Sequence, residues 1–400
     1  MTPDAAGLGA TLRDFMRDQV LPAESEYARY RLEAGPDDHV VPPVVEALKS
    51  EARRLGLWNL FLPAESGLTQ AEYAPLAELT GWSHDIAPEA LNCQAPDSGN
   101  MELLHLLGTP EQKAEWLAPL LDGSIRSAFA MSEPDVASSD ATNISTVIHS
   151  DGGDLVITGR KWWTSGAADP RCRVLITMGK TDPDAAPHQQ QTMVIVPIDT
   201  PGVQIVRSVP VFGRQDQHGH CEVVFDDVRV PIRNVIGEVG GGFAAAQARL
   251  GPGRIHHCMR AVGAAERALA LLVLRAKSRV AFGKPLADYG MVHQQIAESR
   301  IDIEQARQLC LHAARTIDEH GNKAARQLIA AAKVAIPRAV TRVIDRAIQV
   351  HGGAGVSDDY PLAAMWGWHR AMRLFDGPDE VHLQALAKAE LRADPVLPPH

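Results

Sequence analysis

Several familiar signposts are scarce or missing from this sequence. Its 400 residues hold only five cysteines (Cys93, Cys172, Cys221, Cys258 and Cys310), scattered with no CxxC pair. That spacing argues against a disulfide framework or a zinc site and favours a reducing compartment. Lys and Arg total 39 against 49 Asp and Glu, a formal charge of −10, and no basic cluster stands out. Nucleic acid and anionic membrane surfaces are therefore poor partners. The most apolar run, Ala268 to Leu274, is cut off by Arg267 and Arg275 and is far too short to span a bilayer. The N-terminus has no basic start followed by an apolar stretch, so no signal peptide is expected and a cytoplasmic location is. Adjacent His256 and His257 diverge on a helix and no HExxH is present, so no metal is expected. No internal repeat, low-complexity tract or GxGxxG turn is found.

What is present is periodicity that changes twice. Leu12, Phe15, Met16 and Val20 share one helix face, and Val44, Val45, Leu48, Ala52 and Leu55 form another, ended by Gly56. Thr109-Pro110-Glu111-Gln112 reads as an N-cap with Pro at the first helical position and Gln at the third, opening a helix to Leu121. From about Ser127 the segments become short and rich in Val and Ile: Asp154–Gly159, Arg173–Gly179, Thr192–Ile198, Val203–Ser208 and His220–Val230. Helices return after Gly240-Gly241-Gly242. A stripe of Ile296, Ile303, Ala306, Cys310, Ala313 and Ile317 closes at Gly321, and a second long helix runs from about Lys323 to Gln349. The expected fold class is α+β, mainly α. It comprises an N-terminal helical domain (1–125), a middle antiparallel β domain of barrel type (126–238) and a C-terminal four-helix bundle (239–400).

Six stretches could carry chemistry, each with a plainer explanation. Phe129-Ala130-Met131-Ser132-Glu133-Pro134, running on to Ser138, combines hydroxyls with a proline-fixed turn, or is an ordinary loop. In Lys161-Trp162-Trp163-Thr164-Ser165 the two Trp should point to opposite faces of a strand, one buried and one free for a ligand, or both simply fill a core. Arg279…Phe282-Gly283 ends a helix with a guanidinium and an aromatic suited to phosphate and base, or is a basic helix end. Gln349…Gly352-Gly353 follows a long helix with more glycines than a helix stop requires. Arg254 opens a helix, where it meets a substrate phosphate, orders the site or faces solvent. In Phe375-Asp376-Gly377-Pro378 the carboxylate of Asp376 stands beside a helix break, as a solvated cap or aimed into a cavity.

In this order and spacing the stretches resemble the acyl-CoA dehydrogenase family, flavoenzymes with a helix–β–helix layout, over nearly the whole chain. The resemblance implies FAD as cofactor. Phe129, Met131, Ser132, Trp163, Thr164 and Ser165 would lie near its ring system. Arg279, Phe282, Gln349, Gly352 and Gly353 would reach FAD bound largely by another subunit, which implies a homodimer or homotetramer. Ser138 and Arg254 would help hold the acyl-CoA substrate, and an electron-transfer flavoprotein would be the electron acceptor. Asp376 takes the place of the family's glutamate base, and the Phe375–His382 segment looks like a branch sometimes fused to an aminoglycoside-phosphotransferase-like kinase domain.

The implied reaction removes the α-proton of an acyl-CoA with Asp376 and passes the β-hydride to flavin N5, giving a 2-enoyl-CoA. A dewatered, acyl-lined pocket is expected around the base. Aspartate is one C–C bond, about 1.5 Å, shorter than glutamate, which points away from an ordinary straight-chain substrate. Gly290 stands where a glutamine that touches FAD is common, with Gln294 one helical turn later. Two other readings stay open: a flavin oxidase of the same superfamily, similar to nitroalkane oxidase and also using an aspartate base, and a scaffold without catalysis.

Overall fold

A computed structural model describes residues 5–393, which form two compact units. One runs to Leu68 and resumes at Asp85–Gly253; the other joins Thr69–His84 to the chain from Arg254 onward.

In the first unit, α1 (Ala5–Phe15) continues through a wider turn, Met16–Val20, into α2 (Leu21–Ala34). Leu12, Phe15, Met16 and Val20 are all buried, as their spacing predicts. Helix α3 (Pro43–Arg54) buries Val45, Leu48 and Ala52, and Gly56 beyond it takes a left-handed φ of 72°. Helix α4 (Gln70–Thr80) belongs to the second unit, and α5 (Asp97–Leu107) returns to the first. At Thr109 the reciprocal cap is formed: its hydroxyl accepts the Gln112 N–H at 3.2 Å, and Gln112 Oε1 accepts the Thr109 N–H at 3.1 Å. The helical run it opens reaches Asp122, with a wider turn at Lys113–Leu117.

The sheet has seven strands: β1 (Arg126–Ala130), β2 (Val147–Asp151), β3 (Asp154–Ser165), β4 (Cys172–Lys180), β5 (Gln191–Pro197), β6 (Val203–Ser208) and β7 (His220–Pro231). The path runs β1-β4-β2-β3-β7-β6, with β5 also on β4. The pairs β2–β3, β3–β7, β4–β5 and β6–β7 are antiparallel, whereas β1 and β4 are parallel, so the sheet is mixed. A parallel neighbour needs a crossover rather than a hairpin, and the β2–β3 hairpin with its flanking loops supplies one between β1 and β4. Leu155, Ile157, Leu175, Val194, Val196, Val223 and Phe225 form the centre of its core.

In the second unit, α6 (Gly242–Ser278) enters at Arg254 and is followed by α7 (Gly290–His351), α8 (Leu362–Ala371) and α9 (Asp379–Glu390). At Gly321, φ 78° and ψ 168°, α7 leaves helical geometry, so it is two helices meeting where the apolar stripe predicts a stop. Helix α4 is tied in at both ends. Asp318 of α7 accepts the Gln70 and Ala71 N–H groups at 2.8 Å, and Glu78 pairs with Arg307 at 2.7 Å. Between α4 and α6 the backbones touch: a Cβ on Gly263 would stand 1.8 Å from the Glu78 oxygen, and one on Gly81 1.9 Å from the Arg260 oxygen. Only glycine permits this approach. Among the described residues no helix is long and apolar enough to cross a membrane.

Candidate active site

In the second unit, the chain leaving α8 turns at Asp376 (φ 54°) and Gly377 (φ 96°) before Pro378 caps α9. A left-handed aspartate costs on the order of 1 kcal/mol and persists only where its surroundings impose it. Three side chains, the buried Lys333 and His382 and the half-buried Arg254, do so by holding main-chain oxygens. Lys333 Nζ donates to Met372, Phe375 and Gly377 at 2.5, 2.8 and 3.5 Å. Arg254 Nε donates to the Asp376 oxygen at 2.9 Å, and His382 Nε2 approaches the same oxygen at 3.2 Å. The Asp376 side chain is 21% exposed, and its Oδ2 lies 3.5 Å from His257 Nε2.

From this unit, Asp376 is faced by Arg254, His257, Lys333 and His382. Phe375 provides an apolar wall, packed against His257 and Trp368 at ring distances of 5.3 and 5.4 Å. Burial pulls Lys333 below its ordinary pKa, and Asp376 acts against that shift. Burial likewise lowers Arg254, again opposed by Asp376. His382 falls to about 4 through burial and then through Arg254 and Lys333, so near neutral pH it is an uncharged ring whose Nε2–H donates to Asp376. Sequence reasoning missed Lys333 and His382. The available signal for Lys333 was a lone charge inside the apolar run Ile329–Ile336.

In the first unit, the Trp pair departs from strand alternation. The β3–β7 register shifts between Lys161 and Thr164, and Trp163 takes φ 51°. The fully buried positions are therefore Lys161 and Thr164, while Trp162 is half-buried and Trp163 is 39% exposed. The extra bulge residue defeats the two-residue period, which corrects the expectation of one buried Trp. Lys161 donates to Glu133 at 2.8 Å and to the Met131 oxygen at 3.0 Å, fixing the Met131–Glu133 loop beside β3. Burial opposes ionisation of Glu133, yet Lys161, Ser145 and Thr146 hold it at about 2, while burial brings Lys161 to about 8. The Ser132 oxygen accepts the Trp162 N–H at 3.0 Å.

Ser138 braces this same loop, its hydroxyl accepting the Glu133 N–H at 3.0 Å. Phe129 lies under the Arg249 guanidinium, 3.8 Å from its centroid. Ser165 Oγ is 2.7 Å from His220 Nδ1, whereas the buried Thr164 Oγ1 has no hydrogen-bond partner among the described residues.

The remaining candidates lie in the second unit. Arg279 leads into a two-residue hairpin, Val280–Ala281 against Lys284–Pro285, whose tip is Phe282 (φ 50°) and Gly283 (φ 83°). Phe282 is 99% exposed. Gln349 is exposed on the last turn of α7, and Gly352 and Gly353 follow it with open space where a side chain would stand. Gly355 differs: a Cβ there would meet the Ile348 oxygen at 2.6 Å, so it is needed for packing. Gln294 is exposed and donates to Glu298 at 2.7 Å.

Models of the acyl-CoA dehydrogenase N-terminal, middle and C-terminal domains match residues 2–124, 128–228 and 240–391. Probable acyl-CoA dehydrogenase FadE2 of Mycobacterium tuberculosis is 68% identical over 98% of this chain and 96% of its own length. Acyl-CoA dehydrogenase family member 11 of Gallus gallus is 56% identical over 95% of this chain, which spans about half (49%) of that longer relative. A solved structure from Mycobacterium abscessus superposes with a TM-score of 0.94 at 49% identity, covering 97% of this chain and 98% of that one. The chain belongs to the acyl-CoA dehydrogenase family, oxidoreductases acting on CH–CH groups.

Proposed function

We propose that the protein is an FAD-dependent acyl-CoA dehydrogenase that oxidises the Cα–Cβ bond of an acyl-CoA thioester to a 2-enoyl-CoA, with Asp376 as the base for the α-proton. The observation that carries this reading is the clamped turn at Asp376. Its φ of 54° is held through main-chain oxygens by Arg254, Lys333 and His382. A carboxylate kept on a strained turn by buried and half-buried donors is positioned at a cost, which a solvated cap does not require.

The residues fit a flavin. Trp163 offers a part-exposed ring, Thr164 a buried hydroxyl without a partner among the described residues, and Gly352 and Gly353 an open backbone. Met131, Ser132, Trp163, Thr164 and Ser165 would hold the ring system, with Phe129 behind them. Arg279, Phe282, Gln349, Gly352 and Gly353 would reach FAD of a second subunit. An aromatic exposed as fully as Phe282, on a strained turn, suits an intersubunit contact better than solvent. FAD when bound supplies the hydride acceptor, which no side chain can provide. Asp376 takes the α-proton, and Arg254 keeps the Asp376 backbone in place beside the thioester. Ser138 shapes the loop at the CoA end. An electron-transfer flavoprotein is the proposed acceptor and a homo-oligomer the proposed assembly.

Anaerobic titration of the FAD-loaded protein with a panel of acyl-CoAs tests the reading. Bleaching of the flavin by at least one of them is expected. A flavin untouched by all of them, or stoichiometric hydrogen peroxide with a nitroalkane in air, overturns it.

A further inference from the structure

Ser165, placed beside the flavin in the proposal above, ends a chain of three hydrogen-bonded side chains. Its Oγ lies 2.7 Å from Nδ1 of His220, and Nε2 of His220 lies 2.6 Å from Oδ2 of Asp216. The sheet builds the first link, because Ser165 on β3 is the register partner of His220 on β7. The second link crosses the turn before β7, whose Gly219 (φ 67°) brings Asp216 back over the ring. His220 is 6% exposed, and the Trp163 ring centre stands 5.8 Å from its own. The chain therefore runs from a carboxylate, through an imidazole, to a hydroxyl beside the part-exposed Trp163.

The ligand-type atoms of Asp216, His218 and His220 lie within 4.8 Å of one another. Both ring nitrogens of His220 already have partners, however, and 2.6 Å to a carboxylate oxygen is a hydrogen-bond distance, too close for two atoms sharing a tetrahedral cation. The group reads as a relay.

We propose that Asp216 and His220 fix the direction of the Ser165 hydroxyl and thereby set the balance between oxidised and reduced flavin; this rests on the reading that Ser165 faces the flavin. In a neutral imidazole only one ring nitrogen carries a proton, and because a carboxylate only accepts, in that form the proton sits on Nε2 of His220 and is donated to Asp216. Nδ1 is then an acceptor, and the Ser165 O–H donates to it. That leaves Ser165 able only to accept from a ligand. In flavins N5 is an acceptor when oxidised and carries an N–H when reduced, and hydrogen bonds at this edge are among the levers by which a protein tunes the cofactor. A Ser165 locked as acceptor favours the reduced form. Asp216 and His220 are thus positioning residues, acting through Ser165.

Asp216→Asn tests this. An amide can donate to Nε2, which moves the ring proton to Nδ1 and turns Ser165 into a donor toward the flavin, the same tautomer logic known from the serine-protease triad. Removing the carboxylate charge also acts directly on the flavin, so the relay's part is the difference between two backgrounds. The midpoint potential is measured anaerobically against reference dyes for the FAD-loaded wild type, Asp216→Asn, Ser165→Ala and the double variant. The expected result is that Asp216→Asn shifts the equilibrium about tenfold further toward oxidised flavin with Ser165 present than with Ala, about 30 mV for a two-electron couple. Equal shifts in both backgrounds overturn the relay. His220→Phe, which releases the hydroxyl, is run in the same two backgrounds and is expected to show a smaller difference of the same sign; no difference there also overturns it. A wild type that binds no FAD overturns the functional reading itself. FAD bound with a potential unchanged by Ser165→Ala removes Ser165 from the flavin. A shift in Ser165→Ala with no coupling to Asp216 sinks the relay alone.

Discussion

Arg254 places its Nε 2.9 Å from the main-chain oxygen of Asp376, and Lys333 and His382 likewise grip main-chain oxygens around that turn. These contacts hold the backbone whatever the side chain at 376 carries. Asp376→Asn, nearly isosteric, should therefore keep the fold and the bound FAD. Its rate of acyl-CoA oxidation should fall about 10²- to 10⁴-fold, the usual contribution of a positioned base. Stopped-flow bleaching with a good acyl-CoA reads the rate, and near-wild-type bleaching would remove Asp376 from the reaction.

Lys333→Met separates the clamp from the base. Lys333 is 1% exposed, and its ammonium serves carbonyls of Met372, Phe375 and Gly377. Methionine fills similar volume and donates nothing, leaving buried oxygens unpaired at roughly 1–3 kcal/mol. The turn at Asp376 loses its main support at the same time. A lower urea midpoint together with a lower kcat is expected. Unchanged kcat at reduced stability would show that the turn keeps its shape without Lys333.

Much of this architecture is legible where a local residue decides it. Gly321 ends a helix because the apolar stripe stops there and the backbone needs φ 78°, and Thr109 with Gln112 spells out its own cap. What pattern reading loses is non-local. The bulge that exposes Trp163 arises from the β3–β7 register, and the Ser165–His220 link exists only once those strands pair. The contacts of Gly81 and Gly263 depend on two helices far apart in sequence. Lys333 reads as an interruption of an apolar helix until the loop it clamps is folded against it.

The second unit should weaken in mild acid. Burial holds His369 at about 4, and burial with Arg254 and Lys333 does the same for His382, against an ordinary value of 6.5. The unfolded chain therefore binds more protons between these values, so stability rises with pH across that window. The stabilisation is complete above about 6.5 and is lost as pH falls toward about 4, at most roughly 3 kcal/mol per histidine. Urea unfolding at pH 7 and pH 5 measures the loss. His382→Gln, which keeps a donor for the Asp376 oxygen, should flatten the acid slope.

Phe282 sets stability against assembly. Both tip residues of its hairpin have positive φ, a turn that favours Asn-Gly and disfavours an aromatic at the first position. Being 99% exposed, Phe282 contributes no packing within its own chain. Phe282→Asn should therefore leave the isolated fold unchanged or more stable, by about 0.5–1 kcal/mol. If the ring contacts FAD of a second subunit, the same substitution should lower retained flavin and shift the assembly toward smaller species. The ratio of flavin to protein absorbance after gel filtration, with light-scattering mass, reads both effects. A variant that gains stability while keeping its flavin and its mass would leave Phe282 without a role between subunits.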